Sequence, residues 1–397
     1  MFPWLTDQFD TAWAVSLEKI TLRGSLAVGL AFVLALILGH FWIRHFGRRF
    51  AEPNRSDSKQ LEALHQHKDR TPTMGGLFVM AAVLVAILLF ADLMNRLVQA
   101  TLLVTVGMMA IGMIDDLSKM AGRGGISKRA KLFAQIGVAV PVALLLYGYH
   151  AGISAVDVVN AGTSHATNGG TLAIYVPMLA DTLPIGWFFI PLAVLVIVGT
   201  SNAVNLTDGL DGLAGGCLLC ATVAVGMIAY AAGHAEWAAY LAIPGVAGSG
   251  EMAVIATAMA GGILGFLWFN CHPAQVFMGD SGSLPLGAML GTMAVAVRQE
   301  LVLVFIGGVF VVEALSVILQ IGSYRLRGRR IFLCAPLHHH FQFRGAHESR
   351  IVIRFWIASA LCAILGVACL KIRIVDQTPV ESPGPTHAVT QVDRTIR

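Results

Sequence analysis

Apolar stretches of about 20 residues recur along the whole chain and constrain its fold more than any other feature. As a helix, a stretch of that length spans the hydrocarbon core of a bilayer. Lipid offers the backbone no hydrogen-bond partners, so only helices and closed barrels can cross it. Barrel strands alternate apolar and polar residues, whereas these runs are continuous. The sequence therefore predicts an all-α polytopic membrane protein.

The composition agrees, because 56% of the residues are hydrophobic and only 13% are charged, where soluble domains carry about 25% charged residues. We expect one integral-membrane domain over residues 1–373 and a polar, disordered tail over 374–397. About ten transmembrane helices are predicted, at roughly 22–44, 75–94, 97–114, 132–150, 184–201, 212–232, 252–269, 284–298, 301–322 and 351–371.

The basic residues are concentrated between particular spans. Of the 27 lysines and arginines, 19 lie in segments 44–74, 115–131 and 323–354, which follow spans one, three and nine. By the positive-inside rule these segments are cytoplasmic. Both termini are then predicted to be periplasmic, and loops 201–211 and 270–283 join the cytoplasmic face. We therefore expect active-site loops on that side of a bacterial inner membrane, and no nucleic-acid partner.

Asp115 and Asp116 end the third apolar span, where a helix C-terminus disfavours acids. Lys119 offsets this only in part. Two adjacent carboxylates repel each other, so either one pKa rises or a cation lies between them. Both outcomes suit a general base or a Mg²⁺ site.

Two further cytoplasmic segments combine acids, amides and glycines. The stretch NAVNLTDGLDGLAGG contains Asn202, Asn205, Asp208 and Asp211, more than one helix cap requires. Its glycines expose backbone N–H groups, as a phosphate site would. The stretch NCHPAQVFMGDSGSLPLG contains Asn270, Phe277 and Asp280. Asp280 is either a helix cap or a metal ligand, and Phe277 either stacks on a base or packs at the interface.

Three other features remain open from the residues alone. His338, His339 and His340 are adjacent in APLHHHF, so their side chains diverge and they suit phosphate contacts better than one shared metal. In HKDRTPTMGGL, Thr71 or Thr73 is expected to cap the second span with Pro72 opening it, and Lys68 is either an anchor or a phosphate ligand. Glu313 lies within a span, as a functional acid or as a paired one.

Together these segments supply the acids that hold Mg²⁺ and the lysines and histidines that neutralise a diphosphate. Phosphoryl transfer needs positioning and charge neutralisation above all. A site of this kind at a membrane surface implies one water-soluble and one lipid substrate.

The motifs TPTMGG, DDLSK, NLTDGLDGLA, FMGDSGSL and APLHHHF, in this order, resemble the bacterial phospho-N-acetylmuramoyl-pentapeptide-transferases. These belong to the polyprenyl-phosphate N-acetylhexosamine-1-phosphate transferase superfamily. The resemblance implies transfer of phospho-MurNAc-pentapeptide from UDP-MurNAc-pentapeptide to undecaprenyl phosphate, giving lipid I and UMP. It also implies a requirement for Mg²⁺ and a homodimer.

The resemblance also implies roles for individual residues. Asp280 resembles the Mg²⁺ ligand, and Asp115 is either the base for the lipid phosphate or shares the metal with Asp116. Direct attack and a covalent aspartyl intermediate both remain open. A nucleotide pocket is implied for Lys68, Asn202, Asn205, Asp208, Asp211, Asn270 and Phe277, with Phe277 stacking on uracil. Phosphate contacts are implied for Lys119, Lys131, His338, His339 and His340.

Two alternatives to this function are open from the sequence. A related transferase that uses UDP-GlcNAc would share the chemistry, because sugar identity depends on pocket shape. A transporter would place polar groups near the bilayer midplane, where only Glu313 fits.

Overall fold

The computed structural model describes residues 18–46, 71–160, 172–176 and 182–371, of which 46, 153–160 and 182 are described as backbone only. These residues form α-helices joined by short connections. The helices are α1 Ile20–Phe46, α2 Gly76–Phe90, α3 Arg96–Met120, α4 Lys128–Asn160, α5 Phe189–Thr207, α6 Leu213–Ala232, α7 Ala235–Leu241, α8 Gly250–Asn270, α9 Asp280–Ala296, α10 Glu300–Ile306, α11 Gly308–Arg327, α12 Leu337–Phe343 and α13 Glu348–Cys369.

Within the described ranges, eight helices are long and apolar enough to cross a membrane: α1, α3, α4, α5, α6, α8, α11 and α13. Helix α2 is apolar but has only 15 residues, and the 17-residue α9 is buried along its whole length. The predicted all-α polytopic class is confirmed. The tail 374–397 lies outside the described residues.

The boundaries differ from the predicted spans in several places, and α4 covers Lys128–Asn160 where 132–150 was predicted. A small hairpin, β1 Ala173–Tyr175 paired antiparallel with β2 Thr182–Pro184, and a 3₁₀ turn precede α5, which therefore begins later than predicted. The ninth predicted span is divided at Gly307 between α10 and α11. Helix α3 continues to Met120, so Asp115 and Asp116 lie within its last two turns.

The prediction that Pro72 opens the second span is wrong. Helix α2 begins at Gly76 with Gly75 as its N-cap. The preceding residues pair instead with the backbone of the loop before α9. Phe277 donates its N–H to the Pro72 carbonyl at 2.8 Å, and Gly75 donates to the Phe277 carbonyl at 2.8 Å. Because these backbone groups are already paired in an extended bridge, the helix starts four residues later.

Helix α9 packs against α3 and α5, and this brings its first residues beside the last turns of both helices. Gly112 of α3 makes the close approach possible, since a Cβ there would lie 2.2 Å from the Asp280 carbonyl oxygen. Small residues allow helix backbones to approach closely in membrane proteins. The packing of α3 on α9 thereby brings the acids of both helices together.

Candidate active site

Asp280 is the first residue of α9, and Asp116 of α3 holds it there. The Asp116 carboxylate accepts hydrogen bonds from the Asp280 N–H at 3.1 Å and from the Ser281 N–H at 2.9 Å. The first N–H groups of a helix have no partner within the helix and favour negative charge nearby. Asp116 therefore caps a neighbouring helix, which explains an acid near the C-terminus of its own.

Two lysines join Asp280 to Asp115. Lys119 Nζ lies 2.9 Å from Asp280 Oδ2 and 3.1 Å from Asp115 Oδ2. Lys131 Nζ, from the first turn of α4, lies 3.1 Å from Asp115 Oδ2 and also contacts Asp280 Oδ2. The other Asp115 oxygen accepts the Ile126 N–H at 2.6 Å. These contacts hold the segment between α3 and α4 against the carboxylates of Asp115 and Asp280.

Helix α5 completes the cluster through Asn205. Its side-chain amide donates to Asp280 Oδ1 at 2.6 Å and to the Ser283 hydroxyl at 2.8 Å. Six predicted site residues from α3, α4, α5 and α9 therefore meet around one carboxylate. We call them the acidic cluster: Asp115, Asp116, Lys119, Lys131, Asn205 and Asp280.

The acidic cluster carries more negative than positive charge. Three buried carboxylates face two ammonium groups. Nearby, the pKa of Asp208 is raised to about 7, first because burial disfavours its charged form and then because Asp280, Asp116 and Asp211 repel it. Carboxylate and amide oxygens with an excess of negative charge match the hard oxygen sites that Mg²⁺ prefers. The residues present therefore fit a magnesium ion.

The remaining predicted pocket residues belong to two loops beside the cluster. Asn270 accepts the Gly212 N–H at 2.9 Å and donates to the Val276 carbonyl at 2.8 Å, so it ties the turn before α6 to the loop before α9. Asp211 Oδ2 lies 3.1 Å from His272 Nδ1. Phe277 is half-buried in the second loop.

Asn202 lies apart from the cluster contacts. Its amide donates to the Gln135 side chain at 2.7 Å and to the Val198 carbonyl at 2.8 Å, and so links α5 to α4. Lys68 lies outside the described residues.

The adjacency predicted that the three side chains diverge, but the rings of His338 and His339 lie together, with their centroids 4.1 Å apart. His339 pairs with Gln342 at 2.8 Å, and His340 Nδ1 accepts the Leu333 N–H at 3.1 Å. The His338 ring is fully buried, and a Cβ at Gly209 would lie 2.3 Å from its Nε2. Of the three, His338 is therefore the one packed against the turn that carries Asp208 and Asp211.

Glu313 is paired within the bundle. It is fully buried and accepts the N–H groups of Leu337 at 2.7 Å and His338 at 3.1 Å. Its Oε2 also lies 3.2 Å from His338 Nδ1. The carboxylate therefore caps α12 and positions the histidine segment.

Comparison with known proteins shows the family of this chain. Glycosyl transferase family 4 matches residues 98–298, the part of the chain that includes α3 and α9. The phospho-N-acetylmuramoyl-pentapeptide-transferase of Pelobacter propionicus is 43% identical over 360 residues, which cover 90% of this chain and 95% of the relative. The chain belongs to the phospho-N-acetylmuramoyl-pentapeptide-transferase family.

Several polar residues beside the family's motifs were missed from the sequence. Gln135 lies inside a predicted apolar span, and the structure shows that its side chain pairs with Asn202. His272 and Glu348 meet at Asp211, where the Glu348 carboxylate accepts the Asp211 N–H at 2.9 Å. An acid in the first turn of a helix is ordinary, because it interacts favourably with the helix dipole. Only the structure shows that Glu348 also contacts Asp211.

Proposed function

We propose that this chain transfers phospho-MurNAc-pentapeptide from UDP-MurNAc-pentapeptide to undecaprenyl phosphate, giving lipid I and UMP. One observation supports the proposal above all: at the start of a buried helix, the Asp280 carboxylate forms ion pairs with Lys119 and Lys131 and accepts a hydrogen bond from Asn205. The name of the Pelobacter propionicus relative, matched over nearly the whole chain, supports the same reaction.

In this reaction an oxygen of the lipid phosphate forms a bond to the sugar-bearing phosphorus of the UDP-sugar. The bond from that phosphorus to the UMP oxygen breaks, and UMP leaves. A bound Mg²⁺ would supply charge neutralisation for the diphosphate and for the departing UMP. Asp280 and Asp115 would hold the ion, since both carboxylates already share the two lysines.

The other cluster residues have distinct proposed parts. Both Asp116 oxygens accept backbone N–H groups, so Asp116 positions Asp280. Lys119 and Lys131 bind phosphate oxygens as cations. Asp115 serves as the base for the lipid phosphate or as a shared ligand, and direct attack and a covalent aspartyl intermediate are both compatible with its position.

We assign uridine to the two loops that Asn270 ties together. Phe277, half-buried beside them, would stack on the uracil ring, with Asp208 and Asp211 on the facing turn. His338, His339 and His340, together with Lys68, are assigned to the phosphate side. We further propose a homodimer in the bacterial inner membrane, with this site cytoplasmic and both termini periplasmic.

Release of UMP by the purified protein in detergent tests the proposal. The protein is mixed with undecaprenyl phosphate and either UDP-MurNAc-pentapeptide or UDP-GlcNAc, with Mg²⁺ or with a chelator. We expect release from the muramoyl substrate only, and only with Mg²⁺. Release from UDP-GlcNAc would instead identify the related transferase, and no release from a folded sample would overturn the proposed reaction.

A further inference from the structure

The end of α11 carries a concentration of positive charge that shares no residue with the proposed active site. Where the helix ends and the chain turns back, six consecutive residues include four exposed arginines, which we call the arginine tip: Arg325, Arg327, Arg329 and Arg330. Lys119 and Lys131 are paired with carboxylates. The guanidinium groups of the arginine tip, in contrast, form no ion pair or hydrogen bond within the part of the chain that the structure describes.

We propose that the arginine tip binds the phosphate groups of anionic phospholipids, in the leaflet that the proposed orientation makes cytoplasmic. A guanidinium group can donate two parallel N–H groups to phosphate oxygens, so arginine suits this ligand especially well.

The backbone holds the arginine tip in a defined turn. Gly328 has a φ of 65°, in the left-handed region that commonly ends a helix. The Ser323 hydroxyl donates to the Arg329 carbonyl at 2.8 Å. One turn earlier, the Gln320 side chain accepts the Ile331 N–H at 3.0 Å. The chain therefore runs back along α11, and the four arginines lie where it reverses.

The surroundings of the arginine tip favour a lipid over a water-soluble partner. Leu326, between two of the arginines, is 87% exposed, and Tyr324 is 61% exposed. On the returning chain, Ile331 and Leu333 are exposed as well. Apolar side chains this open are unfavourable in water, whereas the boundary between acyl chains and headgroups accommodates them and is enriched in tyrosine. Arginines that extend from this boundary place their charges at the level of the headgroups.

Helix α11 connects this surface to the membrane interior. Before the tip, its exposed side chains are apolar ones and a tyrosine: Val312, Leu315, Ile318, Leu319, Ile321 and Tyr324. The helix has 20 residues and is therefore about 30 Å long, close to the thickness of the hydrocarbon core. Four uncompensated positive charges at the end of such a helix complement the negative surface of the cytoplasmic leaflet.

The test measures lipid binding by native mass spectrometry of the full chain in detergent, so it does not depend on the proposed reaction. Phosphatidylglycerol is the anionic probe, and phosphatidylcholine is the zwitterionic control. The variant removes the four charges together: Arg325→Gln, Arg327→Gln, Arg329→Gln and Arg330→Gln. The matched control removes four other exposed basic residues, from segments predicted to lie on the same side: Arg123→Gln, Lys128→Gln, Arg129→Gln and Arg344→Gln.

We expect the unaltered protein and the matched control to bind phosphatidylglycerol in preference to phosphatidylcholine. The variant of the arginine tip should bind phosphatidylglycerol about tenfold more weakly, because each basic residue near an anionic surface contributes to the attraction. Added salt should weaken binding in the unaltered protein, since exposed charges are screened. If the fourfold variant does not fold, Arg329→Gln/Arg330→Gln, which lies beyond α11, takes its place with an expected loss of about threefold.

Unchanged affinity in the variant of the arginine tip would overturn the site. An equal loss in the matched control would overturn it too, because binding would then follow the total charge of that side. Displacement of phosphatidylglycerol by one equivalent of undecaprenyl phosphate would show a contact for the lipid substrate instead, and would overturn the phospholipid assignment.

Discussion

Two groups of buried charges lie at opposite ends of α3, and they are built differently. Near the start of α3, Arg23 of α1 donates to Glu251 of α8 at 2.9 Å and to the Phe90 carbonyl at 3.0 Å. Glu251 also accepts the Asp92 N–H at 2.8 Å. About 30 Å further along α3, the acidic cluster holds three carboxylates against two lysines.

The difference is what we expect if the first group is structural and the second is the proposed ligand site. In the Arg23–Glu251 pair one cation matches one anion, and its backbone contacts tie α1, α2 and α8 together. The acidic cluster is left with uncompensated negative charge, which costs stability unless a cation arrives. Functional sites commonly retain such local destabilisation. Changes that remove charge should therefore reduce activity at the acidic cluster and stability alone at the Arg23–Glu251 end.

Asp280→Asn should have the largest effect on activity. It keeps the shape of the side chain but removes the charge on which Lys119 and Lys131 converge, so we expect UMP release to fall about 1000-fold. Stability should fall as well, because Asp280 is paired with both lysines and accepts the Asn205 amide, and these partners would be left without its charge. The measurements are UMP release and thermal unfolding in detergent.

Asp92→Asn is the control for Asp280→Asn, since it removes one acid at the other end of α3 and should leave activity unchanged. An Asp280→Asn variant that keeps more than about a tenth of the activity would contradict the assignment.

Glu251→Gln should affect stability alone. Breaking a buried ion pair by removing one partner costs about 3–5 kcal/mol, because the remaining charge is uncompensated. We expect a loss of this order in unfolding free energy, with UMP release retained wherever the protein is folded. The double variant Arg23→Met/Glu251→Leu should lose less than either single change, since no unpaired charge is left behind. If the single changes prove harmless, the pair does not hold the helices together.

The sequence predicted one of these groups and overlooked the other. Asp115, Asp116 and Asp280 stood out because acids next to apolar spans on the basic face are unusual. Arg23 and Glu251 lie at the outer ends of their spans, where charged residues are ordinary. Their contact joins positions 228 residues apart, and no local pattern reports such a pairing.

The same limit applies to the ends of the helices. The apolar runs predicted which segments are helical, because continuous hydrophobicity leaves the backbone no alternative in lipid. They did not predict that α3 continues through Asp116, since that extension depends on N–H groups of α9. They did place the start of α2 within one residue, at 75 against Gly76; it was Pro72 that misled, because its carbonyl pairs with the Phe277 loop instead of opening the helix.

Asp116→Asn separates positioning from direct participation. An amide keeps one acceptor oxygen, so one of the two N–H groups at the start of α9 loses its partner, and a lost cap costs about 1–2 kcal/mol. We therefore expect UMP release to fall about 10- to 30-fold, well short of the loss in Asp280→Asn, with a higher Mg²⁺ concentration needed for half-maximal rate. Inactivation as complete as in Asp280→Asn would show that Asp116 contacts the reacting groups or the ion itself.

The last expected effect is a pH dependence of stability that originates at Asp208. Its pKa is raised from 3.8 to about 7 in the folded chain by burial and by the neighbouring acids. Between these values the folded chain keeps a proton that the unfolded chain has released, so stability falls as pH rises across this window and levels off above it. Asp208→Asn should flatten that part of the thermal-unfolding profile.

Added Mg²⁺ should flatten it too in the unaltered protein, because a cation near Asp280 favours the ionised Asp208 carboxylate and lowers the Asp208 pKa. The Arg23–Glu251 end supplies the control, since Glu251→Gln should lower the whole profile without changing its slope in this window. If the profile keeps its slope in Asp208→Asn, the pH dependence of stability comes from other groups.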